Sequence, residues 1–435
     1  MIALLLDGML NVILSRYLTI DDFANISLAL RLINILSFTI LLGTGDASAK
    51  SFREMIVKHK KQDIGRYISW NLNYIFKTLT ASIIIAFILF FTLDPLNIFS
   101  WGFDEFYIEF LPFVFFTAPF AALIRLYSCF TKCYKQLKFS RFLESMAFSL
   151  TTIVFLLVEY EIYKIDPTNE FFTIRLLFRS YLVIFFFTTL YIAICVPEIF
   201  SKIKEGINKQ KIRYKWVCDA KLHAKNLLVF NINSNISVIL VGLFAFDTKS
   251  LAFYNISLLI AKFIKRIPNA IFMDLVPDIN SAMKNQQTQQ EFSKRWQQCN
   301  ALNIICICIM STIIFFFNEQ ILSIFGTGYI TKDAIIILNI ILLGEGLSCL
   351  FGYNQLLLCF TDYINVLTKT DIISLFIQVI ISVPLFLMFG VIGIAIAFSI
   401  SGIINELMVL YATKKVIPFN LYFPDKNQSA FSKTN

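Results

Sequence analysis

Ionisable residues stand inside stretches of sequence that are otherwise apolar. In the first half these are Asp7, Arg31, Lys77, Arg125, Glu144 and Arg179. In the second they are Lys262, Lys265, Arg266, Glu345 and Glu406. A charge at bilayer depth costs about 3 kcal/mol or more, so each residue of this kind is a candidate for function. In a low dielectric, Arg and Lys are strong partners for phosphate. Arg31, Lys77, Arg125 and Arg179 therefore form a candidate anion-binding set, joined by Asn231 and Asn235, which lie four apart on one helical face. Other readings stay open. Arg125, Glu144 and Glu406 lie within about five residues, roughly 8 Å, of one end of their segments, and Arg179 lies near the end of its own, so all four are placed to snorkel to the interface. Asn in a membrane helix often only bridges to a neighbour. Asp7 and Glu345 are the deepest carboxylates, and Glu345 is flanked by Gly344 and Gly346. Each is a candidate for binding and releasing H+ or Na+, the alternative being an acid held neutral or paired across helices.

The segments that hold these residues are themselves diagnostic. Of 435 residues, 57% are hydrophobic, 47 are Phe and only 15% are charged, against about 25% charged in a soluble domain. Spans of about twenty apolar residues are expected at 1–15, 26–45, 70–93, 110–130, 142–159, 175–196, 226–246, 251–272, 299–317, 334–356, 371–389 and 391–411. Pro112 and Pro119 interrupt the fourth and Pro384 the eleventh, as hinges or as packing kinks. Connecting segments alternate in charge. Those at 46–69, 131–141, 197–225 and 273–298, and the tail, carry most of the Lys and Arg; the opposite loops hold little more than Arg16, Lys164, Lys249 and Lys332. The positive-inside rule places the basic segments, and with them both termini, in the cytoplasm. The net charge of +9 is explained by this asymmetry and not by nucleic acid, for which no basic domain exists outside the spans.

The fold class expected is an all-α polytopic membrane protein of about twelve transmembrane helices in two six-helix bundles. The largest basic break divides the chain into 1–205, an N-terminal bundle, and 206–435, a C-terminal bundle with a cytoplasmic tail. The halves echo each other. Phe23-Ala24-Asn25-Ile26-Ser27-Leu28 recurs 230 residues later as Phe253-Tyr254-Asn255-Ile256-Ser257-Leu258, with five of six residues identical and the same topological position. Six plus six with parallel duplication is an architecture of secondary transporters. No Walker A pattern is present, and no loop is large enough for a catalytic domain, which argues against an enzyme. The nine cysteines fall in spans or on the basic side, so no disulfide framework is expected. The two histidines, His59 and His223, lie in basic loops, so neither a metal site nor a cofactor is expected.

Several short motifs, in order, resemble a known family. They are Ser15-Arg16-Tyr17-Leu18-Thr19 with Asp22-Phe23, then Leu42-Gly43-Thr44-Gly45, Leu251-Ala252-Phe253-Tyr254-Asn255, Ile324-Phe325-Gly326-Thr327-Gly328-Tyr329, and Phe389-Gly390-Val391-Ile392-Gly393-Ile394-Ala395-Ile396-Ala397. Together they resemble the polysaccharide (O-antigen, Wzx-type) flippases of the multidrug/oligosaccharidyl-lipid/polysaccharide exporter superfamily. The first span is shorter than the family's, and no strict set of binding residues aligns. The resemblance implies a MATE-like fold and a polyprenyl-pyrophosphate-linked oligosaccharide as cargo, moved from the inner to the outer leaflet by alternating access. It also implies residence in a bacterial inner membrane, H+ or Na+ as a coupling ion, and membrane lipids and other polysaccharide-assembly proteins as partners. The alternatives are a cation-coupled multidrug exporter and a membrane glycan polymerase or ligase. Drug export would favour acids in the cavity, whereas bases outnumber acids in the first half.

Overall fold

The computed structural model describes residues 2–44, 61–96, 105–133, 136–159, 170–195, 214–244, 247–283, 286–351, 353–361 and 363–417. Among these there is no strand. The helices are α1 (Ile2–Tyr17), α2 (Ile20–Leu41), α3 (Lys61–Leu96), α4 (Glu105–Cys133), α5 (Leu137–Ser145), α6 (Ala147–Leu157), α7 (Glu170–Cys195) and α8 (Tyr214–Phe244), followed by α9 (Thr248–Phe272), α10 (Val276–Ala282), α11 (Gln286–Phe316), α12 (Asn318–Ser323), α13 (Lys332–Leu350), α14 (Asn354–Phe360), α15 (Ile364–Phe389) and α16 (Val391–Val416).

Each of the twelve expected spans falls on one of these helices, the fifth on the consecutive pair α5 and α6. Among the described residues, eight helices are long and apolar enough to cross a membrane, or nine with that bent pair counted as one. Of the other three, α1 has only 16 residues and α9 carries Lys249, Lys262, Lys265 and Arg266, while α3 joins a polar first half to an apolar second half. The chain is a multi-pass membrane protein. Its exposed surface is apolar in a way water would not tolerate: Phe186, Phe316, Phe376 and Leu387 are 63%, 72%, 63% and 79% exposed.

Local signals set the helix ends. Thr19 caps α2, its hydroxyl accepting from the Asp22 amide at 3.1 Å, and Asp21 and Asp22 place negative charge in the first turn. The helix ends at Leu42, which is left-handed with φ 42°, followed by Gly43 with φ 74°. A Cβ on Gly43 would stand 2.2 Å from the Ala220 carbonyl oxygen, so only glycine lets this end of α2 abut α8. The fifth span departs from a straight helix. Polar, amphipathic α5 meets apolar α6 at Met146, and the axis turns by 55°.

The chain divides into two compact units. One comprises Met1–Asn235 with Phe246–Ala252, the other Ile236–Ala245 with Phe253–Asn435. In the first, α4 is the central helix, packed against α2, α3, α5 and α7. In the second, α16 packs on α13 and α15, and a separate core gathers Phe272, Leu275, Phe292, Trp296, Leu357 and Ile417. All six residues of each copy of the repeated segment are buried.

Candidate functional site

In the first unit, two arginines are anchored to the same face of α2. Arg31, Asn34 and Phe38 recur at helical spacing on that face. The Arg31 guanidinium is half-buried and donates to Asn235 Oδ1 at 3.2 Å. Asn235 is oriented for this by a ladder along α8: its own amide donates to the Asn231 carbonyl at 2.8 Å, and the Asn231 amide to the Leu227 carbonyl at 2.7 Å. With the NH2 group committed to backbone, the amide oxygen turns to the arginine. Asp7 on α1, an exposed residue, adds a negative field at Arg31.

One turn along α2, Asn34 Oδ1 accepts from Arg125 of α4. The same guanidinium lies 3.8 Å from the centroid of the Phe38 ring, a cation–π stack. Arg125 lines a cavity of about 400 Å³ whose walls include Phe38, Phe148, Tyr181, Ile184 and Leu227. Glu144, at the bend between α5 and α6, also borders it. Its carboxylate is engaged by Lys132 at 2.5 Å and by the Ser128 hydroxyl at 2.8 Å. The cavity therefore has an apolar wall, an arginine, and an acid already compensated by a lysine.

The other residues singled out in the sequence lie elsewhere. Lys77 is exposed on α3, with no hydrogen bond or ion pair among the described residues. Arg179 donates to the buried carboxylate of Glu159 and does not line the cavity. Asn34 escapes a reading of the sequence alone, although its position three residues after Arg31 is an available signal.

In the second unit, Glu345 is 3% exposed, and its Oε2 accepts from Lys265 Nζ of α9 at 2.8 Å. Gly344 makes this depth possible: a Cβ there would stand 2.3 Å from the Ser399 hydroxyl oxygen, so α16 closes directly on α13. Further carboxylates share the region. Glu406 accepts from the Gln355 amide at 2.7 Å, and Asp371 from the Asn405 amide at 3.0 Å. The sequence alone puts Asp371 at the very edge of the eleventh span. α15 begins at Ile364 instead, which carries Asp371 two turns inside the helix, where it is 3% exposed.

No family model matches the chain, and no curated protein matches it. Solved structures do. The lipid II flippase MurJ in an inward closed conformation superposes with a TM-score of 0.69 at 15% identity, over 95% of this chain and 86% of that one. An inward-facing multidrug resistance MATE family transporter of the MOP superfamily gives 0.69 at 13% identity, over 99% and 96%. The Vibrio cholerae MATE transporter VcmN, as a point mutant, gives 0.60 at 12%, over 97% and 95%. The chain has the MATE/MurJ fold. The likeness runs over nearly all of the chain, so this fold takes in both compact units.

Proposed function

We propose that the protein is a transporter of the multidrug/oligosaccharidyl-lipid/polysaccharide exporter superfamily, of the Wzx type. It flips a polyprenyl-pyrophosphate-linked oligosaccharide from the inner to the outer leaflet of a bacterial inner membrane by alternating access, in surface polysaccharide synthesis. Both termini are cytoplasmic, the orientation that the charge of the connecting segments favours. The observation that carries this reading is Arg125, fixed by Asn34 and Phe38 in the wall of a partly apolar cavity of the first unit, with Arg31 held by Asn235 on the same face of α2. Such an arrangement suits an anionic headgroup with an apolar tail, since guanidinium groups pair with phosphate oxygens while hydrocarbon stays against aromatic and aliphatic walls. The two six-helix halves, 1–205 and 206–435, serve as the domains. Lys77, Arg179 and Asn231 are outlying contacts along the cargo's path, and Asp7 and Glu345 belong to the ion-coupling apparatus, Glu345 as the carboxylate that Lys265 holds at 2.8 Å.

Export of an organic cation is the competing reading. It fits the first unit less well, because the cavity's acid, Glu144, is already compensated by Lys132. The test is complementation of a deletion strain with Arg31→Met and Arg125→Met. Both variants are expected at normal abundance, with reduced surface polysaccharide and lipid-linked repeat units accumulating in the inner leaflet. Normal export by both, or restored drug resistance as the sole phenotype of the wild type, overturns the reading.

A further inference from the structure

The buried polar cluster of the second unit has an unusual balance. Glu345, Asp371 and Glu406 project from three different helices, and the field of Lys265 reaches all three. Three acceptor atoms in this cluster are buried without a donor among the described residues: Glu345 Oε1, Glu406 Oε2 and Asn405 Oδ1. Asn405 is itself 6% exposed and tied through its amide to Asp371. Buried acceptors left in this state are costly unless a proton or a cation serves them. Oxygen atoms from carboxylate and amide groups are also the donor set a hard monovalent cation prefers. Here, however, one cation is already supplied by the chain. The Lys265 ammonium sits 2.8 Å from Glu345 Oε2, at the end of a side chain that is half-exposed.

We propose that Lys265 is a tethered cation, holding at Glu345 the seat that a free Na+ would need, so that the exchangeable ion of this cluster is a proton carried by Glu406. An ammonium and a sodium ion carry the same charge and both require oxygen partners, so one excludes the other from the same carboxylate. Glu406 is the carboxyl left for proton exchange. Its Oε1 is held by Gln355 of α14, its Oε2 has no donor among the described residues, and the charged groups bearing on it are Lys265 from α9, Asp371 from α15 and Glu345 from α13. Cys349 and Tyr353 are the neighbouring titratable groups. On protonation, one proton from water adds to the Glu406 carboxylate and the cluster loses one negative charge; release reverses this. As the coupling ion of the proposed transporter, this proton rests on that reading, whereas the cluster itself can be tested without any cargo.

The experiment is thermal unfolding of the purified full-length protein in detergent, in NaCl against KCl at equal ionic strength. The wild type is expected to unfold at the same temperature in both salts. Lys265→Met, which removes the ammonium but keeps the stem, is expected to acquire a Na+-specific stabilisation that rises with NaCl concentration, as ligand linkage requires. The double variant Lys265→Met/Glu345→Gln removes both charges and is expected to fold with no Na+ response. Should Lys265→Met not fold, Lys265→Gln is measured in its place. Proton exchange is read separately with a pH-indicator dye on acidification, where Glu406→Gln is expected to take up about one proton fewer than the wild type. Na+-specific stabilisation of the wild type overturns the proposal. So does a folded Lys265 variant indifferent to Na+, or equal proton uptake by Glu406→Gln. None of these outcomes bears on whether a lipid-linked glycan is the cargo, which the export assay decides alone.

Discussion

Replacing Arg31 by Met keeps a long flexible stem and removes the guanidinium. In the resting protein the loss is modest, because the hydrogen bond to Asn235 Oδ1 is 3.2 Å long and half-buried, and the asparagine remains held by the α8 backbone. Binding is a different matter. A hydrogen bond to a charged group contributes about 1.5–3 kcal/mol, which corresponds to roughly 10- to 150-fold in dissociation constant. Affinity for a polyprenyl-pyrophosphate glycan, measured by fluorescence quenching on the purified protein, is therefore expected to fall by about that factor. Arg31→Lys should fall between the two, since it keeps the charge and loses the planar fork. Asn235→Leu should also weaken binding, because it frees the guanidinium from the position its partner gives it. An Arg31→Met variant that binds as tightly as the wild type would refute a direct role for this arginine. An effect fully explained by a lower unfolding temperature would refute it equally.

Lys132→Met strips Glu144 of its 2.5 Å counter-ion and leaves a negative charge at the wall that holds Arg125. Binding of the same ligand should weaken severalfold, and Lys132→Met/Glu144→Gln should restore it. Lys77→Ala should lower export less than Arg31→Met, because Lys77 is exposed on α3 and does not line the cavity; the two strains are compared by quantifying surface polysaccharide at matched protein abundance. Gly344→Leu drives a side chain into Ser399, with the Cβ alone 2.3 Å from its hydroxyl oxygen, and should destabilise by about 1–3 kcal/mol or more. The loss would be read as a lower unfolding temperature in detergent.

The helices were legible because a bilayer demands runs of apolar residues, and each expected span has its helix. The bend at Met146 was not, since α5 is polar enough to read as a connection, with Lys138 and Glu144 within nine residues. Individual residues of the site were legible for the same reason that spans were: Arg31, Arg125 and Glu345 stand out against apolar neighbours. Their partnerships were not. Arg31 with Asn235 joins residues 204 apart, and Arg125 with Asn34 joins residues 91 apart, and only packing of α2 against α4 and α8 decides such pairs. Arg179 shows the converse. It reads as a spare cation until Glu159, at the end of the preceding span, is found to hold it. Asp371 was hidden by Lys369 and Thr370, which make the start of its helix look like a loop.

The turn between α5 and α6 has a mechanical consequence. Nine residues of α5 and eleven of α6, at about 1.5 Å each, would reach about 30 Å if collinear, about the thickness of the hydrocarbon core. Were α6 to stand upright, with α5 inclined to it by 55°, the same residues would rise only about 24 Å. In that orientation this flank of the protein would favour a thin patch of bilayer, at a strain of a fraction of a kcal/mol for each ångström of mismatch. Reconstituted turnover should consequently be faster in shorter-chain phospholipids than in long ones, and straightening the elbow should abolish that preference.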